Sequence, residues 1–190
     1  CYEKQQFPFS FKTEAQREFG LQSIRMVNKN ITGENRNFLR SLPFSIKLEF
    51  RFPFHYVRIA LVHGSPSSNE DYVKPDTDDH TLTEFLDEGG ADILIMGHTH
   101  IPFHRSLFTE EENHKIYRHV INAGSVGKPK HGNNKACYLL LTINESLQLT
   151  DPDSVFADFH YTEYNTQAVI NHIKAAGLSG AYDKFLQTGE

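Results

Sequence analysis

Ala91-Asp92-Ile93-Leu94-Ile95-Met96-Gly97-His98-Thr99-His100 is the stretch on which the fold turns. Its apolar run from Ile93 to Met96 is too short for a helix and shows no alternation, which is the pattern of a strand covered on both faces. It ends in a polar loop holding two histidines. Just upstream, Thr81-Leu82-Thr83-Glu84 has the form of a capping box, opening a helix over Phe85 and Leu86 that Gly89-Gly90 closes. Further upstream, Val57 to Val62 predicts another strand, running into the turn His63-Gly64-Ser65-Pro66 and a polar loop from Ser67 to Asp79. Strand, helix and strand in succession indicate an α/β fold.

The flanking sequence extends this reading. Phe19, Ile24, Val27 and Ile31 recur near helical spacing over Glu14 to Asn30, and Thr32-Gly33-Glu34 caps a second helix carrying Phe38, Leu39 and Leu42, stopped by Pro43. Phe44, Ile46, Leu48 and Phe50 alternate with Ser45, Lys47, Glu49 and Arg51, predicting a half-buried strand with one wet face. Further strands are expected at Phe103 to Phe108, Lys115 to Ile121, Ala136 to Ile143 and Val155 to Glu163. Two short helices follow, Asn165 to Ala176 and Ser179 to Gln187, and Cys1 to Thr13 reads as a loop with aromatic anchors.

Composition bounds the function. The 190 residues, 38% hydrophobic and 23% charged, suit one globular domain spanning 1–190. The net charge of −5 and scattered basic residues leave no nucleic-acid footprint, and no apolar run is long enough for a membrane span. Two cysteines, Cys1 and Cys137, make no disulfide framework, so a reducing, cytoplasmic setting is expected. The opening Cys-Tyr-Glu reads as a fragment or processed chain.

Three apolar strands each end in a polar turn: His63 to Pro66, Gly97 to His100, and Asn122-Ala123-Gly124-Ser125-Val126-Gly127. Strand ends in α/β proteins are where loops converge on a rigid base. His98 and His100, two residues apart, can enter one site from one loop, with Gly97 allowing close backbone approach. His63 adds a third imidazole, and the three together form a nitrogen-rich half-shell suited to Zn, Fe, Mn or Ni. The other eight histidines lack such a setting and read as solvated or packed side chains.

The strings Leu61 to Pro66, Ala91 to His100 and Val120 to Pro129 resemble, in order and spacing, the C-terminal motifs of the calcineurin-like metallophosphoesterases, nearest their small bacterial and archaeal phosphodiesterase branch. Leu39 to Pro43 and Ala176-Gly177-Leu178 extend the likeness over nearly the whole chain. The resemblance implies a sandwich of two mixed β-sheets flanked by helices. It also implies two divalent metals about 3 to 4 Å apart, with a bridging hydroxide attacking phosphorus. His63 and His98 would bind the second metal and His100 the first. Asn122, Gly124 and Ser125 would lie in a turn meeting the phosphate through backbone N–H groups.

The family's first three motifs, Asp-x-His, Gly-Asp-x-x-Asp and Gly-Asn-His-Asp or Gly-Asn-Cys-Asp, do not precede these strings, so the resemblance implies an N-terminally incomplete domain. Three neutral imidazoles cannot by themselves neutralise two dications, and the chain alone is expected to be inactive. Cys1 could then hold the slot of the family's acid histidine, although Tyr2 and Glu3 depart from the motif. Asp76-Thr77-Asp78-Asp79-His80 is better read as the acidic start of a helix than as a ligand cluster. Ser65 and Ser125 lack a base and are not expected to be nucleophiles. The implied function is metal-dependent phosphodiester hydrolysis of a small-molecule phosphoester, with a homo-oligomer left open. The alternatives are a non-catalytic scaffold like the retromer subunit of this fold, or a phosphatase acting on nucleotide polyphosphates or phosphoproteins.

Overall fold

A computed structural model describes residues 14–53, 55–111, 114–178 and 183–189. Its elements run in the order α1 (Glu14–Asn30), α2 (Gly33–Ser41), β1 (Ile46–Arg51), β2 (Tyr56–Leu61), α3 (Asp79–Gly89), β3 (Ile93–Met96), β4 (Phe103–Glu111), β5 (His114–Asn122), β6 (Ala136–Thr142), β7 (Phe156–Thr162), α4 (Thr166–Ala175) and α5 (Asp183–Thr188). The Cys1 to Thr13 segment and the start of the last expected helix lie outside the described residues.

Five strands form a mixed sheet in the order β1-β2-β3-β5-β4. The central three are parallel, with Ile59 opposite Ile93 and Ile93 opposite His119, and antiparallel β1 and β4 close the two sides. The second sheet is the antiparallel pair β6 and β7. Parallel strands need crossovers, and α3 supplies the one between β2 and β3.

Alternation along β3 decides the layers. Leu94 and Met96 join Ala60, Val120, Phe103 and Leu107 in a core closed by Leu82 and Leu86 of α3. Ile93 points the other way, with Val57, Ile59 and Ile121, into a second core closed by Leu147, Val155 and the β6–β7 side chains Leu139, Leu141 and Phe159. The two sheets therefore form a sandwich, and β3 is covered on both faces as its unbroken apolar run predicts.

Two expectations give way. The start of α3 is capped by Asp78 and not by Thr81: the Asp78 carboxylate accepts from the Thr81 N–H at 2.9 Å and the Thr81 hydroxyl at 2.8 Å. An aspartate three residues ahead reaches the free N–H groups of the first turn, so the helix begins earlier than the Thr-x-x-Glu box suggests. Strand β1 is not half-buried, because all six of its residues are exposed. It is the sheet's edge, and Leu48 and Phe50 open instead on a groove of about 520 Å³ shared with Leu139 and Leu141.

Candidate metal centre

The loops after β2, β3 and β5 leave the same end of the sheet because those strands are parallel. Backbone hydrogen bonds lash them together. The Gly97 N–H donates to the His63 carbonyl at 3.0 Å, and the Ala123 N–H to the Met96 carbonyl at 2.9 Å. Asn122 joins the second and third loops. Its amide nitrogen donates to the Gly97 carbonyl at 2.5 Å and to the Thr99 hydroxyl at 3.0 Å, while its Oδ1 accepts from the Gly124 N–H.

This geometry brings two of the three histidines into contact and leaves the third on the same turn as His98. His98 Nδ1 lies 2.9 Å from His63 Nε2, the two rings meeting edge to face. His100 sits across the Gly-His-Thr-His turn, with its Nδ1 2.6 Å from the Lys128 carbonyl. A carbonyl can only accept, so His100 carries its proton on Nδ1 and keeps a lone pair on Nε2, the state a metal ligand needs. His98 Nε2 is buried with no hydrogen-bond partner. Burial, foremost, together with neighbouring positive charge holds both His98 and His100 below the usual histidine range, favouring neutral imidazole.

Both histidines have left-handed backbones, His98 at φ 60° and His100 at φ 64°. Side chains with a Cβ rarely adopt this region, and such strain is retained at sites where geometry matters more than stability. The close approach assigned to Gly97 falls elsewhere. A Cβ on Gly97 would meet nothing nearer than the His63 carbonyl at 3.8 Å, whereas one on Gly64 would come within 2.5 Å of the Ser68 carbonyl. Gly64 is the residue that lets the first loop fold back on itself.

The remaining sequence candidates are placed as follows. Asn122 is fully buried and turned toward the loops. Ser125 accepts from the Lys128 N–H at 3.0 Å, and Gly124, at φ 76°, packs against Cys137, whose Sγ would lie 2.8 Å from any added Cβ. Ser65 is buried and donates to Asp71 at 2.5 Å, as befits a structural hydroxyl. Asp79 pairs with Arg105, so the 76–80 acidic run belongs to the helix start and its anchor on β4. Cys1 lies outside the described residues. Sequence reasoning passed over Tyr72, whose ring centroid is 4.5 Å from that of His98. No local signal marks it.

The nitrogen donors suit a divalent transition metal in type, and His98 and His100 also in protonation. Among the described residues, no group of three or more His, Cys, Asp or Glu side chains is arranged to hold a metal ion. The first aspartate of the sequence is Asp71, downstream of His63, so no aspartate stands ahead of the histidine strings in this sequence to bridge two ions. These residues fit as part of a metal shell and not as a whole one.

A mixed sheet packed on a small second sheet, with a Gly-His-Thr-His turn at the ends of its parallel strands, is the architecture of a metallophosphoesterase. The calcineurin-like phosphoesterase superfamily domain matches residues 13–146, and the chain belongs to that family. An uncharacterized protein of Methanocaldococcus jannaschii is 33% identical over 135 residues, 65% of this chain and 50% of that protein. A metallophosphoesterase of Sphaerobacter thermophilus superposes with a TM-score of 0.65 at 20% identity, over 98% of this chain and 72% of its own. A hypothetical protein of Pyrococcus horikoshii does so with a TM-score of 0.58 at 21% identity, over 83% of this chain and 55% of its own. The chain thus spans half the length of the curated relative it matches. Among the described residues no helix is long and apolar enough to cross a membrane.

Proposed function

We propose that the protein is a metal-dependent phosphodiesterase in which this chain contributes three imidazole ligands, His63, His98 and His100. The observation that carries the reading is the contact of His98 with His63 at the ends of neighbouring parallel strands, together with a His100 on the same turn as His98 whose tautomer is held by the Lys128 carbonyl. Divalent metals held there would bind phosphoryl oxygens and lower the pKa of a coordinated water. The chain's own part is positional. Lys128 orients His100, Asn122 holds the His98 and Gly124 loops in register, and the backbone between Asn122 and Gly127 offers N–H groups beside the site. The other ligands, carboxylates able to neutralise dications, come on this reading from outside the described residues.

The test uses the full-length protein reconstituted with Mn²⁺. Hydrolysis of bis(p-nitrophenyl) phosphate should exceed that of p-nitrophenyl phosphate, and His98→Ala and His100→Ala should each lose metal by elemental analysis and about 100-fold or more in rate. Wild-type metal content in both variants overturns the ligand assignment. A preference for the monoester points to a phosphatase, and a folded protein that takes up no metal points to a scaffold.

A further inference from the structure

Tyr72 lies in the loop between β2 and α3, and the chain on either side of it is fixed. The Asp71 carboxylate accepts from the buried Ser65 hydroxyl at 2.5 Å, and Ser65 Oγ in turn accepts from the N–H groups of Ser67 and Ser68. Gly64 allows this tight fold because a Cβ there would meet the Ser68 carbonyl. On the other side Val73 is buried in the α3 core. Between two anchored neighbours Tyr72 is turned outward, 61% exposed, with its ring edge to face against His98.

Tyr72 thus presents an exposed ring at the histidine loop, unlike the other exposed aromatics among the described residues, which stand away from it. Its backbone is already ordered, so a ligand stacking on it would meet little further entropy cost. The ring also stands against a histidine that the functional reading makes a ligand, so it lies within reach of the substituents on a phosphoester bound there.

From this juxtaposition we infer that Tyr72 is a specificity-determining residue, giving the site a preference for phosphodiesters that carry a planar aromatic substituent, a nucleobase or an aryl group. The inference rests on the phosphoesterase reading and deepens it. Stacking on an aromatic side chain tolerates different ring systems, so both sources fit, and the hydroxyl is not required.

The experiment keeps the leaving group constant and compares each ratio in the variant with the same ratio in the wild type, so that intrinsic reactivity cancels. With the Mn²⁺-loaded full-length protein, kcat/KM is measured for thymidine 5′-(p-nitrophenyl) phosphate, phenyl p-nitrophenyl phosphate and methyl p-nitrophenyl phosphate. The ratio of each aromatic diester to the methyl diester should fall about tenfold in Tyr72→Ala, mainly through KM, and stay near wild type in Tyr72→Phe. Calorimetry should show thymidine 5′-monophosphate binding about tenfold more weakly to Tyr72→Ala, with inorganic phosphate binding little changed. A fall confined to the thymidine diester narrows the substituent to a nucleobase, and a fall for both supports the general form. Equal losses on all three diesters, or unchanged ratios, overturn the inference while leaving the phosphoesterase reading intact. If the wild-type protein hydrolyses none of them, that reading fails and this inference with it.

Discussion

The parallel centre of the five-stranded sheet and its β1 margin differ sharply. On the β3–β5 side, α3 closes one face and the β6–β7 pair the other, so that Leu82, Leu86, Ile93, Leu94 and Ile121 are fully buried. In β1 and the helix that precedes it in the chain, apolar residues of the same kinds stay in contact with water: Phe38 is 62% exposed, Leu42 52% and Leu48 43%. Helix α2 has no buried residue at all. Hydrophobicity alone therefore does not locate the core here; coverage by a second layer does. The candidate metal centre grows from the covered region, where the ends of the parallel strands carry the three loops with the histidines and Asn122.

Mutation should separate the two regions. Leu86→Ala or Leu94→Ala should cost roughly 2–5 kcal/mol, the transfer of the lost atoms plus the cavity left behind. Leu48→Ala, on the open margin, should cost less than about 1 kcal/mol. Denaturant titration of the three variants checks this, and equal losses would mean that β1 is covered in solution.

Acid should act through the covered region as well. His119 is fully buried, its Nδ1 2.9 Å from His104 Nε2, and burial together with the nearby His104 charge lowers its pKa to about 4. The unfolded chain takes up this proton near the ordinary value of 6.5, so between there and about 4 the unfolded state binds more protons than the folded one. Stability from this group is present above the upper value and falls as pH drops through the window, by as much as about 3 kcal/mol. Burial depresses His104 in the same direction. Denaturation midpoints measured across this range should decline with acid, and His119→Gln should flatten the decline.

Asn122→Ala would remove the buried amide that joins the loops, leaving the Gly97 carbonyl, the Thr99 hydroxyl and the Gly124 N–H without that partner. A loss of about 1–3 kcal/mol is expected, with weaker metal retention because the histidine loop is no longer fixed. Thermal unfolding and metal titration on one sample distinguish this from a purely local effect. The smallest change runs in the opposite direction. His98→Gly relieves a left-handed backbone at φ 60° and should raise stability by up to about 1 kcal/mol even as metal binding falls. A loss of stability instead would mean that the imidazole's contacts with His63 and Tyr72 outweigh the strain.

Much of this molecule could be read from its residues in order. The strand at Ile93 to Met96, the helix starting at Glu14, the Thr32 cap of α2 and the Gly90 stop of α3 rest on periodicity and turn chemistry within a few residues, and these are local properties. The histidine turn was legible for the same reason, since His98 and His100 are two residues apart and follow a recognisable strand. Other features depend on chain far away. That β1 is an exposed edge depends on how far β6 and β7 reach across the sheet. The choice of Gly64 over Gly97 as the close approach depends on how the Ser65 to Asp71 loop folds back. The tautomer of His100 depends on a carbonyl 28 residues onward, and Tyr72 meets His98 only because β2 and β3 are parallel neighbours. Local sequence determined which elements form and which side chains could ligate. Tertiary pairing decided which faces are covered and which nitrogens remain free, because burial and hydrogen-bond partners are properties of contacts that no short window contains.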